Sequence, residues 1–347
     1  MSRPGNKQAL LALQKKISQP LLVSDKSSLH YLTGQPVMDG YLLITRKQVI
    51  FFGNGLENIS GLKSESWKNL GKLIQKQKTV FLENTVTADE LDWLKKQGKP
   101  AKLSPIASPV LELRLHKNDY EIEQIKSAYR ITEAVFSIVK KQLATKQWTE
   151  IGLARYIRIW GLELGADEIS FDPIVASGRN AAIPHHTPSD AILKPGQTIV
   201  LDFGFKVNGY CSDFTRTVFI KSAPHKLAQL YQYVEQAYEL AKLSVVSGIK
   251  GSEIDRVARM RLEEVKLAGE FIHSLGHGTG LAVHEAPSLS PFSKDVLLDG
   301  MVFSIEPGIY NKNKGYGFRI EDLFYLDNGK LCQFADVPVN LQSNIIK

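Results

Sequence analysis

Asp202 and Asp213 lie in the run Leu201-Asp202-Phe203-Gly204-Phe205-Lys206-Val207-Asn208-Gly209-Tyr210-Cys211-Ser212-Asp213-Phe214, each among apolar neighbours. Asn208-Gly209 is a strong two-residue turn signal, because a type I′ turn needs positive φ at both central positions. A hairpin closed there sets Val207 against Tyr210, Phe205 against Ser212 and Gly204 against Asp213. Side chains alternate faces along a strand, so Asp202 shares a face with Gly204 and lies diagonal to Asp213, roughly 7–8 Å away at the backbone. Two ionised carboxylates in such surroundings repel each other and lose hydration. A shared cation relieves both. Alternatively, one carboxylate pairs with Arg216 and the other is exposed at a strand end; the hairpin alone leaves both arrangements open.

The second half of the chain adds to the first. Glu306 ends the apolar run Met301–Ile305, and Glu321 follows Arg319-Ile320, each where an apolar residue would be expected. Four inward carboxylates exceed what one arginine neutralises, whereas two divalent ions about 3.5–4 Å apart, bridged by shared carboxylates, neutralise them. A nitrogen ligand comes from His273-Ser274-Leu275-Gly276-His277-Gly278-Thr279-Gly280, where glycines let the backbone bend and an imidazole reach inward. Five of the eight histidines (His185, His186, His273, His277 and His284) fall in two short segments beside the acids, a grouping that marks metal sites. An oxygen-rich set with one imidazole suits Mn²⁺, with Co²⁺, Fe²⁺ and Zn²⁺ as alternatives.

Residues 113–347 carry one order of elements twice. A helix opens at Asn118 with Glu121 at the capping-box position and buries Ile122, Ile125, Tyr129, Thr132, Phe136 and Val139; another runs from Thr149 to near Gly165. Strands follow near 197–205 and 210–219. Helices recur over about 225–246 and 253–268, the latter capped by Ser252 and stopped by Gly269, and strands recur near 301–306 and 317–326. His185-His186-Thr187-Pro188-Ser189 matches His284-Glu285-Ala286-Pro287-Ser288, and Pro195–Gly204 aligns with Asp299–Gly308. Asp202 thereby stands opposite Glu306 in a duplicated αα-ββ unit. This predicts an α+β domain with a pseudo-twofold cleft, each half supplying one acid.

Residues 1–112 read as a smaller α/β unit. Leu21–Val23, Tyr41–Ile44, Val49–Phe52 and Val80–Leu82 are short apolar strands, and 64–77 and 87–98 are helical. Gly34, Gly40, Gly53 and Gly55 mark turns. Ser104–Pro109 carries two prolines that cannot continue a helix, which places the domain boundary there. The chain of 347 residues, 43% hydrophobic and 23% charged, is large enough for two cores without covalent staples. Two cysteines, no membrane-length apolar run, and an Ala9–Leu13 patch too short for a secretory core point to the cytoplasm. The net charge of +7 is spread over lysines such as Lys72–Lys78 and Lys95–Lys99 without interleaved aromatics, so neither nucleic acid nor a membrane is expected as a partner.

The segments LDFGFKVNGYCSDFTRT, PHHTPSD, HSLGHGTGLAVHE, FSIEPGIY and GFRIED resemble the "pita-bread" metallopeptidases of the prolidase and aminopeptidase P branch. HYLTG at 30–34 looks like the smaller creatinase-like domain that precedes that catalytic domain. The resemblance implies Asp202 on one metal, His277 and Glu306 on the other, and Asp213 and Glu321 bridging. It implies hydrolysis of the bond preceding proline by a water or hydroxide held between the cations, in Xaa-Pro dipeptides or longer Xaa-Pro peptides, and a homodimer. Glu306 is similar to the proton shuttle, His185 and His284 to the histidines that line substrate and stabilise the oxyanion, and His273 and Arg319 to pocket residues. His186 receives no role, and Asp39 reads as a solvated surface acid. The same fold also serves non-catalytic binding modules and metal-independent amidinohydrolases of the creatinase type. A complete five-ligand set argues against both, because idle buried carboxylates are a liability.

Overall fold

The computed structural model describes residues 6–56, 59–334 and 337–347. Spatial contacts divide the chain into two compact units, one ending at Arg114 and the other beginning at Leu115.

In the first unit, α1 (Asn6–Lys16), β1 (Leu21–Val23), α2 (Lys26–Thr33), β2 (Tyr41–Ile44), β3 (Val49–Gly53), β4 (Lys63–Ser66), α3 (Leu70–Gln75), β5 (Thr79–Glu83), α4 (Ala88–Gly98), β6 (Lys102–Ile106) and α5 (Pro109–Leu115) follow one another. The strands form one sheet in the order β4-β3-β2-β1-β5-β6. Leu21, Val23 and Leu42 pack on one face and Leu22, Leu43 and Phe52 on the other. A sheet covered on both faces explains why these strands read as unbroken apolar runs. Two expectations change. The helix over 64–77 begins instead as strand β4 and a 3₁₀ turn at Trp67–Asn69, leaving only α3 helical. The proline-bearing stretch from Ser104 starts inside β6. Pro105 is tolerated there because β6 is the edge of the sheet and needs no N–H on its open side.

The second unit repeats two helices and an antiparallel sheet. Its first half has α6 (Asp119–Thr145), α7 (Glu150–Glu163), β7 (Glu168–Ile169), β8 (Ile174–Ser177), β9 (Ile199–Asp202), β10 (Phe205–Val207), β11 (Tyr210–Cys211) and β12 (Thr215–Ile220). The second has α8 (His225–Leu243), α9 (Gly251–Glu264), β13 (Gly276–Gly278), β14 (Glu285–Leu289), β15 (Val302–Ile305), β16 (Gly308–Asn311), β17 (Tyr316–Arg319) and β18 (Asp322–Asp327), then β19 (Lys330–Gln333) and β20 (Ile345–Ile346). Asn118 and Glu121 form the capping box of α6, and the six positions expected on its inner face are all buried. Helix α9 starts earlier than expected. Glu253 reaches back to the Lys250 N–H at 3.1 Å, so Lys250 is the cap and Ser252 lies in the first turn. It also stops earlier, at Glu264, where Lys266 turns left-handed at φ 59°.

The two halves correspond in register as well as in order. β9 lies between β8 and β12, and β15 between β13 and β18, all antiparallel. The cap residues of α7 and α9 make equivalent bridges, Thr149 to Ile192 and Lys250 to Val296. A bridge between Thr215 and Glu321 joins the two sheets at the centre.

The Asn208-Gly209 turn has φ of 50° and 82°, and Val207 faces Tyr210 as the turn requires. The same register carries through to Asp202 opposite Thr215. The ladder is nevertheless interrupted between β9 and β10. The Ser212 hydroxyl takes the place of a backbone acceptor for the Phe205 N–H at 2.9 Å, and the Thr132 hydroxyl lies 2.7 Å from it. Gly204 permits this approach, since a Cβ there would lie 2.0 Å from the Ser212 carbonyl oxygen. Gly204→Ala is therefore expected to cost about 1–3 kcal/mol and to push Asp213 out of line with Asp202. A lowered urea midpoint, together with weakened divalent-metal uptake, is the expected pair of results.

Candidate metal centre

All four acids stand where strands end or break: Asp202 closes β9, Asp213 precedes β12, Glu306 follows β15, and Glu321 lies between β17 and β18. Strand ends release side chains from the pleat while the flanking ladders hold the backbone. His277 lies in β13. Gly278 pairs with Phe303 and the Glu306 N–H bonds the Leu275 carbonyl, so His277 stands across from Ser304 and one step from Glu306.

The tautomer of His277 follows from its contacts. Its Nδ1 lies 3.0 Å from the Gly278 carbonyl oxygen, which can only accept, so Nδ1 carries the proton. Burial, reinforced by neighbouring His284, pushes its pKa down to about 4, so the ring is neutral. The bare Nε2 lone pair then faces Asp213 Oδ2 at 3.6 Å and Glu306 Oε1 at 3.4 Å. One imidazole nitrogen and two carboxylate oxygens thus converge on a single point. That is a cation's environment.

The carboxylates carry the same signature. Burial, then Glu321, Asp202 and Glu306, holds the Asp213 carboxyl well above its usual range. Burial, then Glu321, does the same to Glu306, and Glu321 is pushed up to about 8 by burial and then Asp202. Asp202 Oδ1 is buried without a hydrogen-bond partner. Ligand atoms of Asp202, Asp213 and Glu321, of His277, Glu306 and Glu321, and of Asp213, His277 and His284 each lie within 4.8 Å of one another. The donor set therefore fits divalent cations, and His284 stands near enough to join it.

Arginine is arranged around this charge without cancelling it. Arg319, not Arg216, pairs with Asp202. Its Nε donates to the Thr215 hydroxyl at 3.1 Å, and that hydroxyl donates to Glu321 Oε2 at 2.7 Å. Its Nη1 donates to the Tyr310 hydroxyl at 2.7 Å, and Tyr310 donates onward to His273 Nε2 at 3.1 Å. Burial, then Arg319, lowers the His273 pKa to about 3, leaving it a neutral acceptor. Arg216 turns away. It is fully buried against Asp322, which also accepts from Tyr129 and Tyr238, and its Nη1 donates to the backbone carbonyls of Thr215 and Glu321.

A cavity of about 550 Å³ opens on these groups and is also lined by Phe171, Ile174, His185 and Val283. His185, His273, His277, His284, Arg319 and all four acids border it. His186 borders it too, but its Nε2 donates to the buried Glu150 carboxylate at 2.8 Å. Tyr310, Thr215 and Glu150 carry contacts that the sequence did not flag. Tyr310 is brought back toward Arg319 by its register with Gly317 in β16–β17, a pairing with no local signal.

Residues 123–328 match the model of metallopeptidase family M24. A Xaa-Pro dipeptidase of Pyrococcus horikoshii is 32% identical over 320 residues, covering 89% of this chain and 90% of that one. A putative Xaa-Pro aminopeptidase of Mycoplasma genitalium is 32% identical over 339 residues, covering 92% of each. The crystal structure of a prolidase from Pyrococcus horikoshii superposes with a TM-score of 0.89 at 29% identity, over 96% of this chain and 98% of that chain. The duplicated αα-ββ unit, its cleft lined with acids, and this likeness along nearly the whole chain agree: the chain belongs to metallopeptidase family M24 and has the pita-bread fold.

Proposed function

We propose that this chain hydrolyses the peptide bond preceding proline, using two divalent cations held by Asp202, Asp213, His277, Glu306 and Glu321. The observation that carries the metal reading is the bare His277 Nε2 facing Asp213 and Glu306. The proline specificity rests on the relatives named Xaa-Pro dipeptidase and Xaa-Pro aminopeptidase. The carboxylate-rich donor set favours Mn²⁺. Following the family resemblance, Asp202 serves one ion, His277 and Glu306 the other, and Asp213 and Glu321 both. The same resemblance implies a creatinase-like leading unit and a homodimer, and the composition points to the cytoplasm.

When bound, the cations supply an activated water and a positive field at the scissile carbonyl. The rest falls to side chains. Glu306 takes the proton of the attacking water and delivers it to the proline nitrogen, which must be protonated to leave. His185 and His284 present N–H groups to the oxygen that gains charge. Phe171, Ile174 and Val283 give the substrate's side chains an apolar wall. Arg319, tied to Asp202, Tyr310 and Thr215, holds a fixed positive charge at the pocket wall.

Chelator-treated protein should lose cleavage of Ala-Pro and of Ala-Pro-Ala, and Mn²⁺ or Co²⁺ should restore at least one while Ala-Ala stays intact. Failure to cleave either proline substrate after metal return overturns the proposal, and cleavage of Ala-Pro alone makes the enzyme a dipeptidase. Glu306→Gln should lower kcat by at least about 100-fold with its circular dichroism unchanged; near-normal turnover removes the shuttle role. Asp213→Asn removes one repelling carboxylate. The metal-free protein should gain about 1 kcal/mol or more, while the metal-induced rise in thermal midpoint disappears. A variant that still binds metal with full affinity would remove Asp213 from the ligand set.

A further inference from the structure

Among the described residues the His185 ring takes no hydrogen bond. Its placement is set by its neighbours in the chain. On one side, the Pro184 carbonyl accepts from Arg319 Nη1 at 3.4 Å. On the other, His186 donates from Nε2 to Glu150. Glu150, the first residue of α7, is completely buried. Its Oε1 accepts from the Ser177 N–H at 2.7 Å, the Ser177 hydroxyl at 2.9 Å and Asn180 Nδ2 at 3.0 Å. Its Oε2 accepts from His186, from the Ser189 N–H at 3.1 Å and from the Ser189 hydroxyl at 2.6 Å. Burial works to raise its pKa, but the bonds from Ser189, His186, Asn180 and Ser177 outweigh it and hold the carboxyl below its usual range.

An acid in the first turn of a helix commonly does no more than complement the helix dipole. Glu150 does not face that role alone, since its bonds run outward to the end of β8 and to both ends of the 186–189 segment. The second half solves the same problem differently. Gly251 occupies the place of Glu150, its N–H on the Asp295 carbonyl as that of Glu150 is on Ala191. A Cβ at Gly251 would lie 2.2 Å from the Ser288 carbonyl oxygen. There the Ser288 N–H is taken by the Asp295 carboxylate at 2.8 Å. Each histidine segment is thus anchored by a carboxylate on the serine four residues after His185 or His284.

The geometry points to Glu150 as a positioning residue that acts through His186 to hold His185 against the substrate carbonyl. This rests on the role proposed above for His185. Glu150 touches neither the metal ligands nor the cavity, so its loss should reach turnover only through the histidine segment.

The test combines Glu150→Gln, His185→Ala and the double variant, each loaded with Mn²⁺ and assayed on the proline substrate. Glu150→Gln should lower kcat about 10- to 100-fold with KM and metal stoichiometry unchanged. In the His185→Ala background the same change should cost less than about 2–3-fold, because the two act as one unit. Equal losses in both backgrounds, or lost metal, overturn the proposal. Should Glu150→Gln fail to fold, His186→Gln and His186→Leu replace it: the glutamine keeps an N–H donor and should retain activity, and the leucine should not. Equal activity of those two also overturns it. Amide exchange on the metal-free protein gives a readout independent of activity. The Ser189 amide, which donates to Glu150, should exchange at least about tenfold faster in Glu150→Gln while the Leu275 and His277 amides stay protected; unchanged exchange at Ser189 overturns the proposal. If the wild type cleaves no proline substrate, the functional proposal falls, and the exchange result still decides whether Glu150 holds the segment.

Discussion

Four carboxylates and a neutral imidazole nitrogen converge in the interior of the second unit, and their mutual repulsion is the constraint around which that unit is organised. Left alone, such a group is an electrostatic cost, because each charge has lost its hydration and faces like charges. The chain could have relieved it with arginines, as buried acids usually are relieved. It does so for Asp202 only, through Arg319, and directs Arg216 to Asp322 instead. Even so, burial keeps the proton affinity of Asp202 raised along with that of Asp213, Glu306 and Glu321. The cluster is thereby left able to accept cations.

The framework beneath it absorbs the strain of that choice. Arg216 and Asp322 form a fully buried pair whose acid is also hydrogen-bonded by Tyr129 and Tyr238, so no polar group of the carboxylate is stranded. The same guanidinium grips the carbonyls of Thr215 and Glu321, which are bridged to each other across the two sheets. A buried ion pair is weak evidence for stability. Here its position gives it a geometric use, because it fixes the backbone from which Glu321 projects and next to which Asp213 stands.

The pseudo-twofold relation is real in the backbone and broken in the chemistry. Asp202 and Glu306 occupy equivalent positions, and the glycines two residues later, Gly204 and Gly308, both permit close strand approach. Across from Ser304 stands His277. Its counterpart across from Val200 is Ala176, so one half offers an imidazole and the other a methyl group. Two cations bound here would meet unequal ligand sets. The anchoring of the histidine segments is unequal as well, with Glu150 on a helix in one half and Asp295 on a loop in the other.

Much of this was legible in the sequence because it is carried by local rules. The Asn208-Gly209 turn dictates the hairpin register, and that register alone puts Asp202 and Asp213 on one face. The letter match between the halves foretold the equivalence of Asp202 and Glu306. Helix α6 announced its start through Asn118 and Glu121. What the sequence could not settle was partnership at a distance. Arg216 and Arg319 are the same residue type, each two or three positions from an acid of the cluster, and strand neighbours rather than spacing decide that one takes Asp322 and the other Asp202. Tyr310 and Glu150 were silent for the same reason, their contacts arising from turns that return the chain over many residues. Composition and periodicity determine which residues are buried and which face they share; hydrogen bonds between buried polar groups depend on a few tenths of an ångström, and only the packed tertiary structure fixes distances that finely.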